Sequence, residues 1–274
     1  MSDLTMRDPV SQIIIGIKGA GEMASAVAWR LYMANIRRIF MLEVPQPSAV
    51  RRHVSFSEAA YNASQTVESV PAVLTTCANE ARTAWQQNRI AVLVDPNWKV
   101  IDDFQPDVVV DATLAKRNLG TGISDAPLVI GLGPGFTAGL DVHTVIETNR
   151  GHHLGRIITA GTADPDTGIP GSISGHTEER VLRAPAAGHF QTTLEIGRQV
   201  KRGDVIGTVD SRPVCAEIVG VIRGLVRSGS DVSQNMKLGD IDPRGIPAYC
   251  NTISDKARAI SGSVLEVVLR KFLT

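Results

Sequence analysis

The sequence predicts an α/β protein built in two parts: a Rossmann-like domain with a mostly parallel sheet, and a smaller all-β domain. Three observations carry this prediction. Short apolar runs alternate with helical patterns through the first half of the chain, as in a parallel sheet with helices on its faces. A glycine pattern follows the first apolar run, and glycines recur at a fixed offset in the last third. The 274 residues suffice for two modest cores.

Composition and charge exclude several classes of function. Lysine plus arginine number 28, as do aspartate plus glutamate, so no net field attracts nucleic acid or an anionic membrane. The start, MSDLTMRDPVSQ, lacks the basic and apolar segments of a secretory signal, and no apolar run reaches membrane-spanning length. The 3 cysteines show no CxxC spacing, which favours a reducing compartment over a zinc site or disulfide framework. We expect a cytoplasmic protein that binds neither nucleic acid nor membrane.

The Rossmann-like domain is expected over residues 1–160. Strands are predicted where apolar runs are short and continuous, and helices where apolar residues recur at helical spacing or follow a capping box. The predicted strands are 13–17, 39–42, 70–74, 90–94, 107–111 and 127–131. The predicted helices are 24–35, a short helix opening at 55–58, and 78–87. A β-hairpin is expected over 142–159, after this sheet.

The all-β domain is expected over residues 178–245, after a linker or functional loop at 161–177 that is rich in Gly, Pro, Ser and Thr. Glycines pair at one constant offset: Gly188 with Gly220, Gly197 with Gly229, and Gly207 with Gly239. Two equivalent β half-units of this length are typical of the barrel-sandwich hybrid, the fold of lipoyl and biotinyl carrier domains. The tip between the halves, DSRP, has no lysine, so neither lipoate nor biotin is expected. A C-terminal helix is predicted within 246–274.

The strongest motif is Gly19-x-Gly21-x-x-Ala24, set between a predicted strand and a predicted helix. In a dinucleotide-binding loop the first glycine permits a tight turn, the second admits a pyrophosphate, and the small third residue allows close packing of helix and strand. The helix N-terminus then faces the anion. Glu43, at the end of the next strand, is placed to accept a ribose hydroxyl. The pattern predicts nucleotide binding, and a glycine turn needed only for packing is the alternative.

A second glycine-rich loop, Gly131-x-Gly133-x-Gly135, follows a later strand of the same predicted sheet. Ligands of open α/β sheets bind beyond the carboxyl ends of the strands. Both glycine loops are therefore expected to line one cleft, unless this one is a plain turn. Lys116 and Asn118 follow another strand and are candidates for holding phosphate or carboxylate groups, with an ordinary surface turn as the alternative.

Candidate groups for acid–base chemistry lie further along the chain. Asp141, His143 and Glu147 are spaced to share one face of a strand, and His152 lies at the turn beyond. They are candidates for proton transfer or for polar contact with a ligand, and a solvated strand face is the alternative. The spacing is too loose to assign a metal site. The sequence fixes no catalytic residue and leaves open whether the protein is an enzyme.

Several segments resemble the YqeB family: KGAGEMASAVAWRLY, VRRHVSFSEA, DVVVDATLAKRNLGT and PLVIGLGPGFTAGLDVHTVIETNRGHHLGRI among them. The resemblance runs from about Ile13 to Leu269, and the block from Gly131 to Gly155 is the most specific. It implies an accessory role in selenium-dependent molybdenum hydroxylase systems and brings no established reaction or catalytic residue. More distantly, the Rossmann part is similar to the XdhC-type proteins that handle molybdenum cofactor for xanthine dehydrogenase.

With this resemblance, the expected function is maturation of a molybdenum hydroxylase. The Rossmann cleft would bind a nucleotide-bearing cofactor, a molybdopterin dinucleotide or another nucleotide, and the β domain would dock the hydroxylase or close over the ligand. The expected partners are the hydroxylase or its cofactor-assembly proteins, and a homo-oligomer is left open. Two other functions stay open: an NAD(P)-dependent oxidoreductase acting on a small substrate, with His143 or Glu147 transferring the proton, and a non-catalytic scaffold.

Overall fold

A computed structural model describes residues 9–273, and the chain divides into two compact units. The first comprises Met1–Pro47, Phe56–Asp166 and Ser254–Thr274; the second comprises Ser48–Ser55 and Thr167–Ile253. Residues 1–8, which bear most of the prediction that no secretory signal is present, lie outside the described part of the chain. No helix among the described residues is long and apolar enough to cross a membrane.

The first unit combines helices with one large sheet. Its helices are α1 (Glu22–Met33), α2 (Ala59–Asn62), α3 (Ala78–Gln86), α4 (Ile101–Phe104) and α5 (Asp255–Phe272). Its strands are β1 (Ile14–Lys18), β2 (Arg38–Glu43), β3 (Ser64–Val67), β4 (Val70–Thr75), β5 (Ile90–Val94), β6 (Val108–Asp111), β7 (Leu128–Leu132), β8 (Thr137–Ala138), β9 (Thr144–Ile146), β10 (Ile157–Ile158) and β11 (Gly161–Thr162).

The large sheet has the strand order β10-β9-β7-β6-β1-β2-β5-β4-β3. Neighbouring strands are parallel except at the two edges, where β3 pairs antiparallel with β4 and β10 with β9. The chain proceeds from β1 towards one edge through β2 and then returns to the other side of β1 with β6. The topological switch point therefore lies between β1 and β6. This confirms the predicted α/β fold with a large, mostly parallel sheet.

Apolar side chains bury the central strands on both faces, because helices cover a parallel sheet. On the face that carries Phe40, a cluster of Phe40, Leu42, Ala81, Ala91 and Phe104 joins the sheet to α3 and α4. The rings of Phe40 and Phe104 stack with their centroids 4.0 Å apart. Helix α5 packs against α1, and its N-cap is Ser254, whose hydroxyl accepts a hydrogen bond from the amide of Ala257 at 3.3 Å.

The second unit consists of two antiparallel sheets. Its strands are β12 (Val181–Arg183), β13 (Gly188–Gln191), β14 (Gln199–Val200), β15 (Val205–Val209), β16 (Arg212–Cys215), β17 (Gly220–Leu225), β18 (Ser230–Val232) and β19 (Lys237–Asp242). One sheet has the order β12-β19-β17-β14 and the other β16-β15-β13-β18. The constant offset of the sequence repeat relates β12 to β16, β13 to β17, β14 to β18 and β15 to β19. Each strand therefore has its counterpart at the same place in the other sheet.

The register of the strands obeys the same repeat. Gly188 pairs with Val232, and its counterpart Gly220 pairs with Val200. The core between the sheets is apolar in both halves, with Phe190 and Ile222 at corresponding positions among its buried side chains. The repeat seen in the sequence is thus a repeat of strand order, register and core.

The structure corrects several boundaries of the predicted parts. The predicted C-terminal part, residues 246–274, is divided between the two units. Helix α5 belongs to the first unit, whereas the residues before it, up to Ile253, belong to the second. Residues 48–55, predicted within the Rossmann-like domain, belong to the second unit. The stretch 161–166, predicted as linker, belongs to the first unit and contains β11. The predicted hairpin forms from β9 and β10, but β9 also extends the large sheet beside β7.

The predicted capping box at 55–58 is wrong. The Ser55 hydroxyl donates to the backbone oxygen of Arg51 at 2.8 Å instead of capping a helix. A 3-10 turn spans Phe56–Glu58, and α2 begins only at Ala59. Strand β3 was not predicted because its sequence, SQTV, is mostly polar and partly exposed.

Candidate functional site

The first glycine loop lies at the carboxyl end of β1, at the switch point beside β6. Gly19 has a φ of +92°, a conformation that favours glycine. A Cβ on Gly19 would lie 3.3 Å from the backbone oxygen of Ala112, which follows β6. The amide of Gly19 donates to the backbone oxygen of Leu42 at 2.8 Å. Gly19 therefore fills the conformational role that the motif predicts, a tight turn between neighbouring strands.

Gly21 is the N-cap residue of α1, and nothing in the fold requires a glycine there. Its φ of −69° is open to any residue, and no side chain caps the helix. Apart from Gly21 itself and its neighbours in the chain, no atom of the described residues lies within 4 Å of the position of the missing Cβ. The space into which a side chain at this position would project is therefore open. Ala24, the third residue of the motif, is fully buried, as close helix–strand packing requires.

Glu43 holds the glycine loop from the end of β2. One carboxylate oxygen accepts from the amide of Ala20 at 3.0 Å, and the other accepts from the amide of Val44 at 2.8 Å. Burial raises the pKa of Glu43 above its ordinary value, against the opposing effect of these two amides. Glu43 is thus where the sequence predicted it, beside the loop, and it occupies one of the loop's own amides.

A segment that the sequence did not single out also contacts this loop. The backbone oxygen of Ala20 accepts from the amide of Ser57 and from the hydroxyl of Ser25, both at 2.9 Å. The Ser25 hydroxyl accepts in turn from the amide of Phe56 at 2.7 Å. The hydroxyl of Ser57 is buried and has no hydrogen-bond partner among the described residues. The 3-10 turn after Ser55 therefore closes one side of the glycine loop.

The second glycine loop is packed against protein. A Cβ on Gly131 would lie 2.5 Å from the ring of Phe136, and a Cβ on Gly133 would lie 2.4 Å from the hydroxyl of Thr148. A Cβ on Gly135 would lie 2.7 Å from the backbone of Arg117. At each of these positions a larger residue would collide with neighbouring protein atoms. This agrees with the alternative that the loop is a plain turn and does not line a ligand cleft.

Lys116 and Asn118 have partners within the first unit. The ammonium group of Lys116 pairs with the carboxylate of Asp166. The side-chain oxygen of Asn118 accepts from the amides of Gly120 and Thr121 at 2.9 and 2.7 Å, and its nitrogen donates to the backbone oxygen of Thr121 at 2.8 Å. Asn118 therefore shapes its own loop and positions Thr121.

The predicted strand face of Asp141, His143 and Glu147 does not form, because β9 spans only Thr144–Ile146. Asp141 accepts from the amide of Thr137 at 2.8 Å. Glu147 is buried, and its two carboxylate oxygens accept, each at 2.7 Å, from the amides of Asn149 and Asp164. Both carboxylates are therefore engaged in ordering loops.

His143 and His152 lie in different environments. His143 Nδ1 accepts from the amide of Val129 at 3.0 Å, so the proton of the neutral ring is on Nε2. Burial, together with the charge of Lys271, holds the pKa of His143 below its ordinary value. His152 is exposed and contacts the ring of His153 edge to face. No group of described residues has the arrangement of a metal site.

The sequence missed a buried polar network beneath the switch point. The hydroxyl of Thr121 donates to Asp111, at the end of β6, at 2.6 Å, and accepts from the ammonium group of Lys18, at the end of β1, at 2.9 Å. The Lys18 ammonium also pairs with Asp125 at 2.7 Å and lies 4.0 Å from the ring centre of Trp98. The sequence signal that could have indicated this network is Lys18, a charged residue that ends an apolar strand next to the glycine motif.

Half of a longer bacterial protein matches nearly the whole chain. The sequence is 48% identical over 261 residues, 95% of its length, to "Uncharacterized protein YqeB" of Escherichia coli (strain K12). The chain spans 48% of that relative, about half its length. No family model matches the chain.

Solved structures offer only a weak likeness. The chain is similar to an aspartoacylase family protein from Mesorhizobium loti, with 13% identity, coverage of 83% of this chain and 84% of that chain, and a TM-score of 0.26. It is similar to the ectoine utilization protein EutE from Ruegeria pomeroyi, with 11% identity, coverage of 84% of both chains, and a TM-score of 0.25. Similarity at this level carries no argument about fold or function.

Proposed function

Because the chain belongs to the YqeB family, we propose that it assists the maturation of a molybdenum hydroxylase by binding a nucleotide-bearing cofactor at the glycine loop after β1. The ligand that the family resemblance indicates is the dinucleotide form of molybdopterin, and the role indicated is that of an accessory protein in a selenium-dependent hydroxylase system. The chain covers about half of its relative, so the proposal concerns the part that this chain supplies.

The observation that carries the proposal is the open space at Gly21. Gly19 has a positive φ, and the glycines of the second loop are packed against protein. Neither reason applies to Gly21: its φ is ordinary, and no atom beyond its neighbours in the chain lies within 4 Å of its missing Cβ among the described residues. A glycine that the fold does not need is explained where a ligand must approach the backbone closely.

The groups around Gly21 are suited to a diphosphate. The first amides of a helix have no partner within the helix, and they carry partial positive charge. No side chain caps α1 at Gly21, so a phosphate would take the place of a cap. Glu22, in the first turn, would oppose an anion, but its carboxylate accepts from the hydroxyl of Ser254 at 2.9 Å. This bond holds the charge against the N-cap of α5.

Glu43 would discriminate between nucleotides. Each of its carboxylate oxygens accepts one backbone amide and retains a second lone pair for a ligand hydroxyl. We expect a free ribose 2′-hydroxyl to be favoured and a 2′-phosphate to be repelled by the carboxylate.

The second unit is proposed as a barrel-sandwich hybrid that docks the target hydroxylase. The exchange of equivalent strands between its two sheets supports this fold. The hairpin between β15 and β16 turns at Asp210 and Ser211, where carrier domains would present a modified lysine. Asp210 accepts from the amide of His189 at 3.1 Å, so the tip is tied to its own sheet, and its sequence DSRP contains no lysine.

Two measurements on the full chain test the proposal. Mass spectrometry of material released on denaturation should identify a pyrophosphate-linked nucleotide. NAD⁺ and ADP-ribose, as simple pyrophosphate probes, should raise the melting temperature, with about 2.7 kcal/mol of stabilisation at a hundredfold excess over Kd, and NADP⁺ should bind more weakly. Absence of any shift, with these probes and with molybdopterin dinucleotide, would leave the scaffold function. Steady oxidation of NAD(P)H with a small substrate would point to the oxidoreductase.

A further inference from the structure

A cavity lies in the first unit, on the face of the sheet that carries Lys18. It has a volume of about 650 Å³, within the range of small-molecule sites. Its walls come from residues 97–107 on one side and 120–127 on the other. The connection that contains the first wall has only the four-residue α4, and the connection that contains the second has only a 3-10 turn at Ile123–Asp125. Short connections thus leave this strip of the sheet without a covering helix.

Trp98 forms an ordered aromatic wall of this cavity. Its φ of +57° is unusual for a bulky residue, so the surrounding loop must hold it there. Asp95 does so: its backbone oxygen accepts from the amide of Trp98 at 3.2 Å, and its carboxylate accepts from the amides of Asn97 and Val100 at 3.3 and 2.9 Å. The indole also packs against the apolar cluster of Phe40. The ring is therefore fixed before any ligand binds.

The charged groups of the cavity are mainly acceptors. Its lining contains the carboxylates of Asp102, Asp107 and Asp125 and the ammonium of Lys18. That ammonium is already engaged with Asp125, with Thr121 and with the ring of Trp98. An anion would meet an excess of carboxylates, whereas a ligand with N–H donors would satisfy them.

We propose that this cavity, the Trp98 cavity, binds a planar amino-substituted heterocycle that is uncharged or cationic. The aromatic ring of the ligand would pack against the part of the Trp98 indole that the Lys18 ammonium leaves open, and its ring N–H and amino groups would donate to the carboxylates of the wall. The inference is independent of the diphosphate site proposed at Gly21, because it draws on different residues and on the opposite charge preference.

Guanosine and inosine form a matched pair of probes, since they differ only in the exocyclic amino group. Calorimetric titration of the full chain should show guanosine binding at least about tenfold more tightly than inosine, because the lost donor faces a charged acceptor. In the variant Gly21→Val, whose glycine loop should no longer take a phosphate, guanosine 5′-monophosphate should bind no more tightly than guanosine. Equal binding of the two nucleosides, no binding of guanosine, or tighter binding of the monophosphate to that variant would each overturn the proposal.

Matched variants assign the binding to this cavity. Asp102→Asn should weaken guanosine binding, whereas Asp103→Asn should not, since both residues are exposed on α4 and only Asp102 lines the cavity. Trp98→Gly removes the ring at a φ that suits glycine and should weaken binding at least about fivefold. Gly21→Val should leave guanosine binding unchanged. Equal effects at Asp102 and Asp103, or loss of binding in Gly21→Val, would place the nucleoside elsewhere.

Discussion

At the scale of single residues, Lys18 and Asp125 form an ion pair whose two side chains differ in how far they are buried. The side chain of Lys18 is 2% exposed and that of Asp125 is 25% exposed. Removal of the carboxylate leaves a charge buried, whereas removal of the lysine lets Asp125 turn to water. We expect Asp125→Ala to cost about 3 kcal/mol or more and Lys18→Met to cost less than about 2 kcal/mol. Urea unfolding of both variants measures the difference, and the reverse order would refute the assignment of Lys18 as buried.

Asp240 in the second unit gives a dependence of stability on pH. Burial disfavours its charged form, but the charges of Lys237, Arg223, Arg51 and Arg180 outweigh burial and hold the pKa of Asp240 below its ordinary value. An aspartate with a lowered pKa in the folded state stabilises the protein above the unfolded value of about 3.9. This stability is lost as the pH falls through the folded pKa.

We therefore expect Asp240→Asn to lose about 3–5 kcal/mol at neutral pH, because Arg223 and Arg180 lose their partner, which lies at 2.7 and 3.3 Å from them. The difference from the wild type should shrink as the pH falls below about 4. The exposed Asp231 provides the control Asp231→Asn. Urea unfolding across this pH range tests the expectation, and a difference that stays constant with pH would contradict it.

The residue scale is also where the sequence was least informative. Gly19, Gly21 and Glu43 could be placed because strand, turn and helix signals surround them in the chain. The pairing of Lys18 with Asp125 could not be predicted, because the two residues are distant in the chain and meet only when β1 lies beside β6. The burial of the Ser57 hydroxyl could not be predicted either, because it depends on the packing of the 3-10 turn at Phe56–Glu58 against the glycine loop.

At the scale of elements, the repeat of the second unit makes a paired prediction. A Cβ on Gly207 would lie 2.5 Å from the backbone oxygen of Gln191, and a Cβ on Gly239 would lie 2.6 Å from the backbone oxygen of Gly224. Since backbone cannot move aside cheaply, each glycine-to-alanine change should cost about 1–3 kcal/mol as overpacking, and the two costs should be similar. Thermal unfolding measures both. A neutral effect at only one of these glycines would show that the halves are not equivalent.

The helices and strands also differ in whether the residues within them are enough to predict them. The apolar runs of β1, β5 and β7 predicted strands because burial on both faces leaves a continuous apolar pattern. The capping box at 55–58 misled because its spacing is a local signal, whereas the fold assigns Ser55 to the second unit and Phe56 to the first. The polar β3 lies at a sheet edge, where burial does not select apolar residues.

At the scale of the whole molecule, the first unit is assembled from three separate segments of the chain, and the first break between them follows β2 closely in sequence. The chain leaves the first unit after Pro47, shortly past Glu43, and returns at Phe56. Glu43 contacts the loop at the amide of Ala20, and Phe56 contacts the loop's support at Ser25. Within the first unit, the segment before this break and the segment after it therefore each carry a residue that holds the glycine loop.

The central claim is that Gly21 is a glycine because a diphosphate approaches it, and a matched pair of variants tests this most directly. Beyond the chain neighbours of each glycine and the backbone of the helix around Gly262, neither Gly21 nor Gly262 has an atom of the described residues within 4 Å of its missing Cβ, and neither has a positive φ. Both Gly21→Val and Gly262→Val should therefore fold, with melting temperatures near that of the wild type. The measurement is the rise in melting temperature with NAD⁺ or molybdopterin dinucleotide. We expect Gly262→Val to retain it and Gly21→Val to lose it, and an undiminished rise in Gly21→Val would contradict the claim.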